Sequence, residues 1–218
     1  MTHPILTDLS NRHTVKKYDA SRKIPTEALT VLYEAMRLSA SSINSQPWKF
    51  IIIESEAAKS RLNDTFVNMH HYNQPHVFES SQIILFAHNP KYTRDDYAKV
   101  VDKAIADKRN TLDKRDAAFA TFAFAELNTD KSGDNSHWTK AQTYLALGNT
   151  LHVLARLKID ATPMEGIDTD LVNEMFSEEL AGYQCDVALA IGYHHPDEDF
   201  NASLPKSRLA LEDILVKL

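Results

Sequence analysis

Phe50–Ile53, Ile83–Ala87 and Val187–Ile191 are apolar at every position. A strand with one face in water alternates apolar and polar residues, whereas a strand covered on both faces need not. Runs this short, rich in β-branched and aromatic residues, read as strands rather than helices. The chain is therefore predicted to hold a sheet with helices on both faces. Between the runs the spacing turns helical. Ala28, Leu29, Leu32, Ala35 and Met36 recur at helical intervals, with Thr26 as the expected N-cap. Residues 57–66 read as a helix, and 93–127, which lack Gly and Pro, as two helices. Another helix begins near Ser136, with Trp138, Ala141, Leu145, Gly148, Leu151, Leu154 and Ala155 expected along one side. A short helical stretch precedes Arg12. The apolar tail, residues 209–218, needs a surface to dock on, and a partner subunit is one candidate.

Composition narrows the function. The chain has 218 residues, 43% hydrophobic and 25% charged, which suits one globular domain over residues 1–218. A net charge of −6 argues against nucleic acid or an acidic membrane as partner, while leaving room for a local basic pocket. No apolar stretch reaches the roughly 18 residues of a membrane span, and the first residues lack a secretory apolar core. The single cysteine, Cys185, precludes an internal disulfide and is expected to be a buried thiol. A reducing compartment, the cytoplasm, is the expected location. Gly133, Gly148, Gly166, Gly182 and Gly192 are the only glycines, and none are neighbours. A dinucleotide fingerprint or P-loop needs clustered glycines. Any nucleotide phosphate must then be gripped by side chains. The histidine clusters, His70-His71 with His76 and His194-His195, lack the paired spacing of a zinc site, and no metal is expected.

Several motifs carry chemistry. Arg12, Thr14 and Lys16 alternate, so in extended chain they can share a face. Lys206 and Arg208 repeat that alternation. Arginine suits phosphate because its planar fork donates paired hydrogen bonds. The same cations would also suit a solvated basic surface. Gly166, after Pro163-Met164-Glu165, allows a tight turn with exposed backbone N–H groups, or an ordinary strand-to-helix turn. Ser41-Ser42-Ile43-Asn44-Ser45-Gln46-Pro47-Trp48 places turn-forming donors and acceptors at the mouth of the first strand.

In chain order, Arg12-His13-Thr14-Val15-Lys16, the 41–48 stretch, Tyr72-Asn73, Pro163-Met164-Glu165-Gly166 and Leu204-Pro205-Lys206-Ser207-Arg208 resemble the FMN site of the nitroreductase and NAD(P)H-flavin oxidoreductase family. The similarity covers nearly the whole chain. It implies an α+β fold, a central, mostly antiparallel sheet flanked by helices, in an intertwined homodimer with one FMN per subunit. Arg12, Lys206 and Arg208 would hold the phosphate, assisted by Thr14 and flanked by His13. Lys16 would lie near the N1 and O2 edge of the flavin. Asn73 would bond the pyrimidine side, and the backbone of Glu165 and Gly166, following Pro163, would meet N5 and O4. Ser41, Ser42, Ile43 and Asn44 would come from the other subunit. Phe124 and Tyr72 would border the substrate pocket, with Gln142 a further site candidate. His76 stands where many relatives carry a second lysine, and would supply a cation only when protonated. Arg156 and Lys158, at a helix end, are candidates for contact with the nicotinamide nucleotide.

The activity so implied is ping-pong oxidoreduction. NAD(P)H reduces bound FMN, leaves, and free FMN, FAD or riboflavin then takes the electrons. The cofactor carries the chemistry, so no nucleophile or general base is required. The alternatives are a reductase of nitroaromatics or quinones, a protein that stores or senses flavin, and a cofactor-free interaction domain.

Overall fold

A computed structural model describes residues 3–218. Strands β1 (Trp48–Ile53), β2 (Gln82–His88), β3 (Asp160–Met164) and β4 (Gln184–Gly192) form one sheet in the order β1-β2-β4-β3. Every neighbouring pair is antiparallel. The three apolar runs lie in β1, β2 and β4. Strand β3 went unrecognised because it carries Asp160, Thr162 and Pro163. It is an edge strand, where a proline costs no ladder bond.

Both faces of the sheet are covered, as the absence of alternation requires. Ile53, Ile83, Leu85 and Ala190 face a core with Leu62, Phe66 and Phe176. Ile84, Phe86, Val187 and Leu189 face a second, with Leu32, Met36 and Leu154. A bulge interrupts the register, since Phe86 pairs with Val187 but Ala87 with Cys185. The extra residue, Asp186, lets Cys185 and Ala188 point to the same core. Burial pushes the Cys185 thiol up to about 12, so it stays protonated, in keeping with an inert buried thiol.

The helices are α1 (Pro4–Asn11), α2 (Thr26–Arg37), α3 (Glu56–Asn63), α4 (Gln74–Glu79), α5 (Arg94–Ala106), α6 (Arg115–Ala118), α7 (Ala123–Leu127), α8 (Ser136–Leu157), α9 (Thr169–Met175), α10 (Ser177–Leu180) and α11 (Leu211–Ile214). Three expectations need correction. Pro25, not Thr26, occupies the N-cap of α2, and Thr26 is its first residue. Residues 93–127 do not make two helices but three α-helices separated by 3-10 turns. Helix α5 stops where Lys108 adopts a left-handed φ of 59°, with the N–H groups of Arg109 and Asn110 returning to the Ala104 carbonyl. Short 3-10 turns, α6 and α7 follow, and pack Phe119, Phe122 and Ala125 on Tyr92, Tyr97 and Trp138.

The third correction concerns α8. Its buried face runs through Thr139, Gln142, Thr143, Ala146 and Thr150, while Leu145 is 57% exposed. Buried threonines are affordable there because their hydroxyls donate back along the helix, Thr150 to Ala146 O at 2.7 Å and Thr143 to Thr139 O at 3.3 Å. A hydrophobicity count could not anticipate that. The tail, including α11, is exposed, with Leu209, Leu211, Ile214 and Val216 in contact with solvent. Among the described residues, no helix is long and apolar enough to cross a membrane.

Candidate cofactor site

After α1 the chain runs along the outer edge of β3. Thr14 bridges to Ala161, and Tyr18 to His194. The Tyr18 hydroxyl donates to the carbonyl of Ala190 at 2.9 Å, and the Thr162 hydroxyl donates to the carbonyl of Val15 at 2.8 Å. Beyond β4 the chain returns to this edge, where the Lys206 ammonium donates to the carbonyl of Arg12. Arg12, Thr14, Lys206 and Arg208 thereby line one open cavity of about 1000 Å³, with Arg22, Lys158, Asp8 and Asp160 also in its lining.

The cations in this cavity oppose one another. Burial, then the Arg208 charge, lowers the pKa of Arg12. Burial, then Arg12 and Arg208, lowers that of Lys206. Among the described residues, no carboxylate lies within ion-pair distance of these three groups. Converging cations that pair with no carboxylate suit an anion. Lys16, expected on the same face, does not line this cavity. Its side chain is exposed, and its charge reaches His76 instead.

His76, expected to supply a cation only when protonated, is held neutral. It lies buried in α4 with its ring edge-on to Tyr18 at 5.7 Å. Burial, then Lys16, lowers its pKa below 6.5. It therefore stays neutral at pH 7 and supplies no second cation. Because the folded value lies below the unfolded one, the stability it contributes is full above about pH 6.5 and is lost as pH falls through the folded value. Denaturation at about pH 7 and pH 5 should show His76→Leu losing less stability on acidification than the parent.

Asn73 precedes α4, and its side-chain amide donates to the carbonyl of Gly166 at 2.8 Å. Gly166 is not in the left-handed region. A Cβ there would lie 2.9 Å from Asn73 Nδ2, so a larger residue would displace the Asn73 amide. Gly166→Ala should break this hydrogen bond and cost about 1 kcal/mol in chemical denaturation. The Glu165 carboxylate is occupied by the Tyr144 hydroxyl of α8, whose pKa burial and Glu165 both raise. The carbonyls of Glu165 and Gly166 are engaged as well, by the Ile167 N–H and by Asn73, which leaves the backbone N–H groups here for a ligand. Pro163 lies in β3, paired with Leu189.

The 41–46 loop is held in a strained form. Ile43, Asn44 and Gln46 take left-handed φ values of 51°, 56° and 46°. This costs about 1–2 kcal/mol at Ile43 and at Gln46, and less at Asn44, so the surroundings must fix them. Three bonds do so: Ser42 N–H to Gln142 Oε1 at 2.8 Å, Gln46 N–H to Ser41 Oγ at 3.0 Å, and Tyr92 hydroxyl to Ser45 O at 2.7 Å. Gln142 is therefore a buried anchor for the loop within one chain. Gln142→Leu should destabilise the protein by about 1–3 kcal/mol, read by denaturant titration, because the Ser42 N–H loses its acceptor.

The remaining candidates divide. This loop enters β1, at the opposite edge of the sheet from Thr14 and β3, so one chain does not bring Ser41, Ser42, Ile43 and Asn44 to Arg12. Phe124 packs on Trp138 with centroids 6.2 Å apart, yet is 46% exposed. Tyr72 is 76% exposed and lies against His71. Arg156 is held by Asp8 at 3.1 Å. His13, Asp160 and His194 lie close enough to share a cation. Each histidine already has a carboxylate partner, His13 with Asp199 at 3.0 Å and His194 with Asp160 at 2.7 Å. They act as clamps between chain segments. Sequence reasoning missed Asp199 and Asn201, because isolated polar residues in a loop leave no periodic signal.

Residues 9–193 match the model of the nitroreductase family. The chain belongs to the nitroreductase family. Relatives within it include the major NAD(P)H-flavin oxidoreductase of Aliivibrio fischeri, 64% identical over 218 residues and the full length of both chains. The oxygen-insensitive NAD(P)H nitroreductase of Enterobacter cloacae is 34% identical over 217 residues, 98% of this chain and 99% of that one. Among solved structures, a protein assigned to the nitroreductases from Exiguobacterium sibiricum 255-15, in complex with FMN, superposes with a TM-score of 0.83. It shares 25% identity, and the match covers 100% of this chain and 99% of that one. The nitroreductase fold and its antiparallel sheet are thus those that the motifs implied.

Proposed function

We propose that this nitroreductase-family protein is an NAD(P)H-dependent oxidoreductase that binds one FMN per subunit of a homodimer and reduces free flavins. The observation that carries the reading is the convergence of Arg12, Thr14, Lys206 and Arg208 on one cavity whose two lining carboxylates, Asp8 and Asp160, pair with Arg156 and His194 and not with these cations. That donor set fits the phosphate of FMN, and the close Asn73–Gly166 contact fits the edge of a planar ring. The flavin oxidoreductase relative, at 64% identity, favours free flavin as acceptor.

Bound FMN supplies hydride acceptance from NAD(P)H and its delivery onward. The chain's own residues bind and bias. Arg12, Lys206 and Arg208 grip the phosphate, and Thr14 adds a hydroxyl. Lys16 offers a fixed positive charge where negative charge develops in the ring. Asn73 and the backbone at Glu165 and Gly166 orient the ring edge. His13 and Pro163 shape the segments that carry these groups, and Phe124 and Tyr72 give the acceptor an aromatic, partly exposed border.

Two observations support the dimer. The 41–44 loop sits across the sheet from the cationic cavity, so it reaches a flavin only in a second copy. Leu145 on α8, Leu38 after α2 and the 209–218 tail leave apolar surface exposed on one chain. Cys185, a lone buried thiol, suits the cytoplasm.

The test is acceptor profiling with NADH and NADPH against FMN, FAD, riboflavin, a nitrofuran and a quinone. Parallel double-reciprocal lines and the highest kcat/KM for a free flavin are expected. A higher kcat/KM for the nitro compound or quinone would move the assignment to the activity named for the Enterobacter cloacae relative. Flavin binding without turnover would make it a storage or sensing protein.

A further inference from the structure

Asp199 lies in the turn that follows β4, and its side chain is 0% exposed. A buried carboxylate is costly unless its acceptor sites are filled. Oδ2 accepts from His13 Nε2 at 3.0 Å. Oδ1 accepts the backbone N–H of Lys16 at 3.0 Å and that of Asn201 at 3.3 Å. Two residues on, the Asn201 side-chain amide donates to the carbonyl of Thr14 at 2.6 Å. The inner side of residues 13–16 is thus gripped at successive points by one short turn. The alternate positions, Arg12, Thr14 and Lys16, are left for a ligand. The same turn leads directly to Lys206 and Arg208.

We propose that Asp199 is a positioning residue that sets the placement of Lys16 and Thr14, and joins the N-terminal and C-terminal halves of the cofactor site. This inference rests on the FMN reading above. Asp199 acts through geometry, not through its charge. A charge role and a positioning role make opposite predictions. Removing a negative charge beside Lys16 would raise the flavin's reduction potential and strengthen phosphate binding. Releasing the Lys16 backbone would lower both.

Asp199→Asn and Asp199→Ala separate the two. Asparagine keeps an acceptor for the Lys16 N–H, and its amide can donate to a neutral His13 nitrogen. Alanine keeps neither. FMN titration of the apoprotein, a redox titration of the bound flavin and hydrogen exchange at the Lys16 amide are the readouts. In Asp199→Ala we expect faster Lys16 exchange, FMN affinity weaker by about tenfold and a lower potential. In Asp199→Asn the affinity and potential stay at or above those of the parent. If both variants move upward together, the role is one of charge and the proposal is wrong. It is equally wrong if the alanine variant frees the Lys16 amide yet keeps the parental affinity and potential. Should the alanine variant fail to fold, Asn201→Ala, which removes only the hold on Thr14, should lower FMN affinity in the same direction by less, and unchanged affinity there would overturn the proposal. A parent chain that takes up no FMN would instead sink the functional reading itself.

Discussion

Arg208→Ala is expected to weaken FMN binding roughly tenfold to a hundredfold, about 1.5–3 kcal/mol, while leaving the apoprotein as stable as before or more so. The two effects have opposite signs for one reason. Burial and then the Arg208 charge lower the pKa of Arg12, and burial, then Arg12 and Arg208, lower that of Lys206, so without an anion the cluster is self-repelling. Removing one cation relieves that repulsion in the free protein. With a phosphate present, the same cation becomes a charge-assisted donor, and its loss is felt in full. Flavin fluorescence titration reads the affinity, and thermal melting of the apoprotein reads the stability. A structural arginine would lower both together. Parental FMN affinity in Arg208→Ala would remove it from the phosphate site.

Lys16→Ala is expected to lower the two-electron midpoint potential of the bound flavin by about 20–45 mV, the equivalent of roughly 1–2 kcal/mol between its redox states. Lys16 lies outside the cationic cavity but on the segment pinned by Asp199, and its charge already reaches the buried His76. A single fixed charge near the ring favours the more negative, reduced state. Neutral His76 gives no second charge to compensate. The effect should appear in the potential more than in affinity for oxidised FMN, and a redox titration without a shift would reject the role.

The sheet was legible because burial on both faces erases alternation. Ile83–Ala87 and Val187–Ile191 left no other reading, and they became the two central strands. Strand β3 was not legible, because an edge strand tolerates Pro163 and the flanking Thr14 and Val15 segment satisfies its polar residues. The face of α8 was misjudged because its threonines bond back to their own helix and pack inward, leaving Leu145 outside. In the site, the motifs named Arg12, Lys206 and Arg208, which the fold brings to one cavity, and Asn73 and Gly166, which it joins by a hydrogen bond elsewhere. Two things depended on tertiary packing alone. One is the buried neutrality of His76, which its position in α4 determines. The other is Asp199, whose significance arises from bonds to residues more than 180 positions away.

The central claim is that this cavity holds a flavin that accepts electrons from a nicotinamide nucleotide. The visible spectrum of the purified or FMN-reconstituted protein, taken before and after NADH or NADPH is added without oxygen, tests it most directly. A yellow protein whose flavin absorbance bleaches on addition is the predicted result. A protein that stays colourless after incubation with FMN would contradict the account.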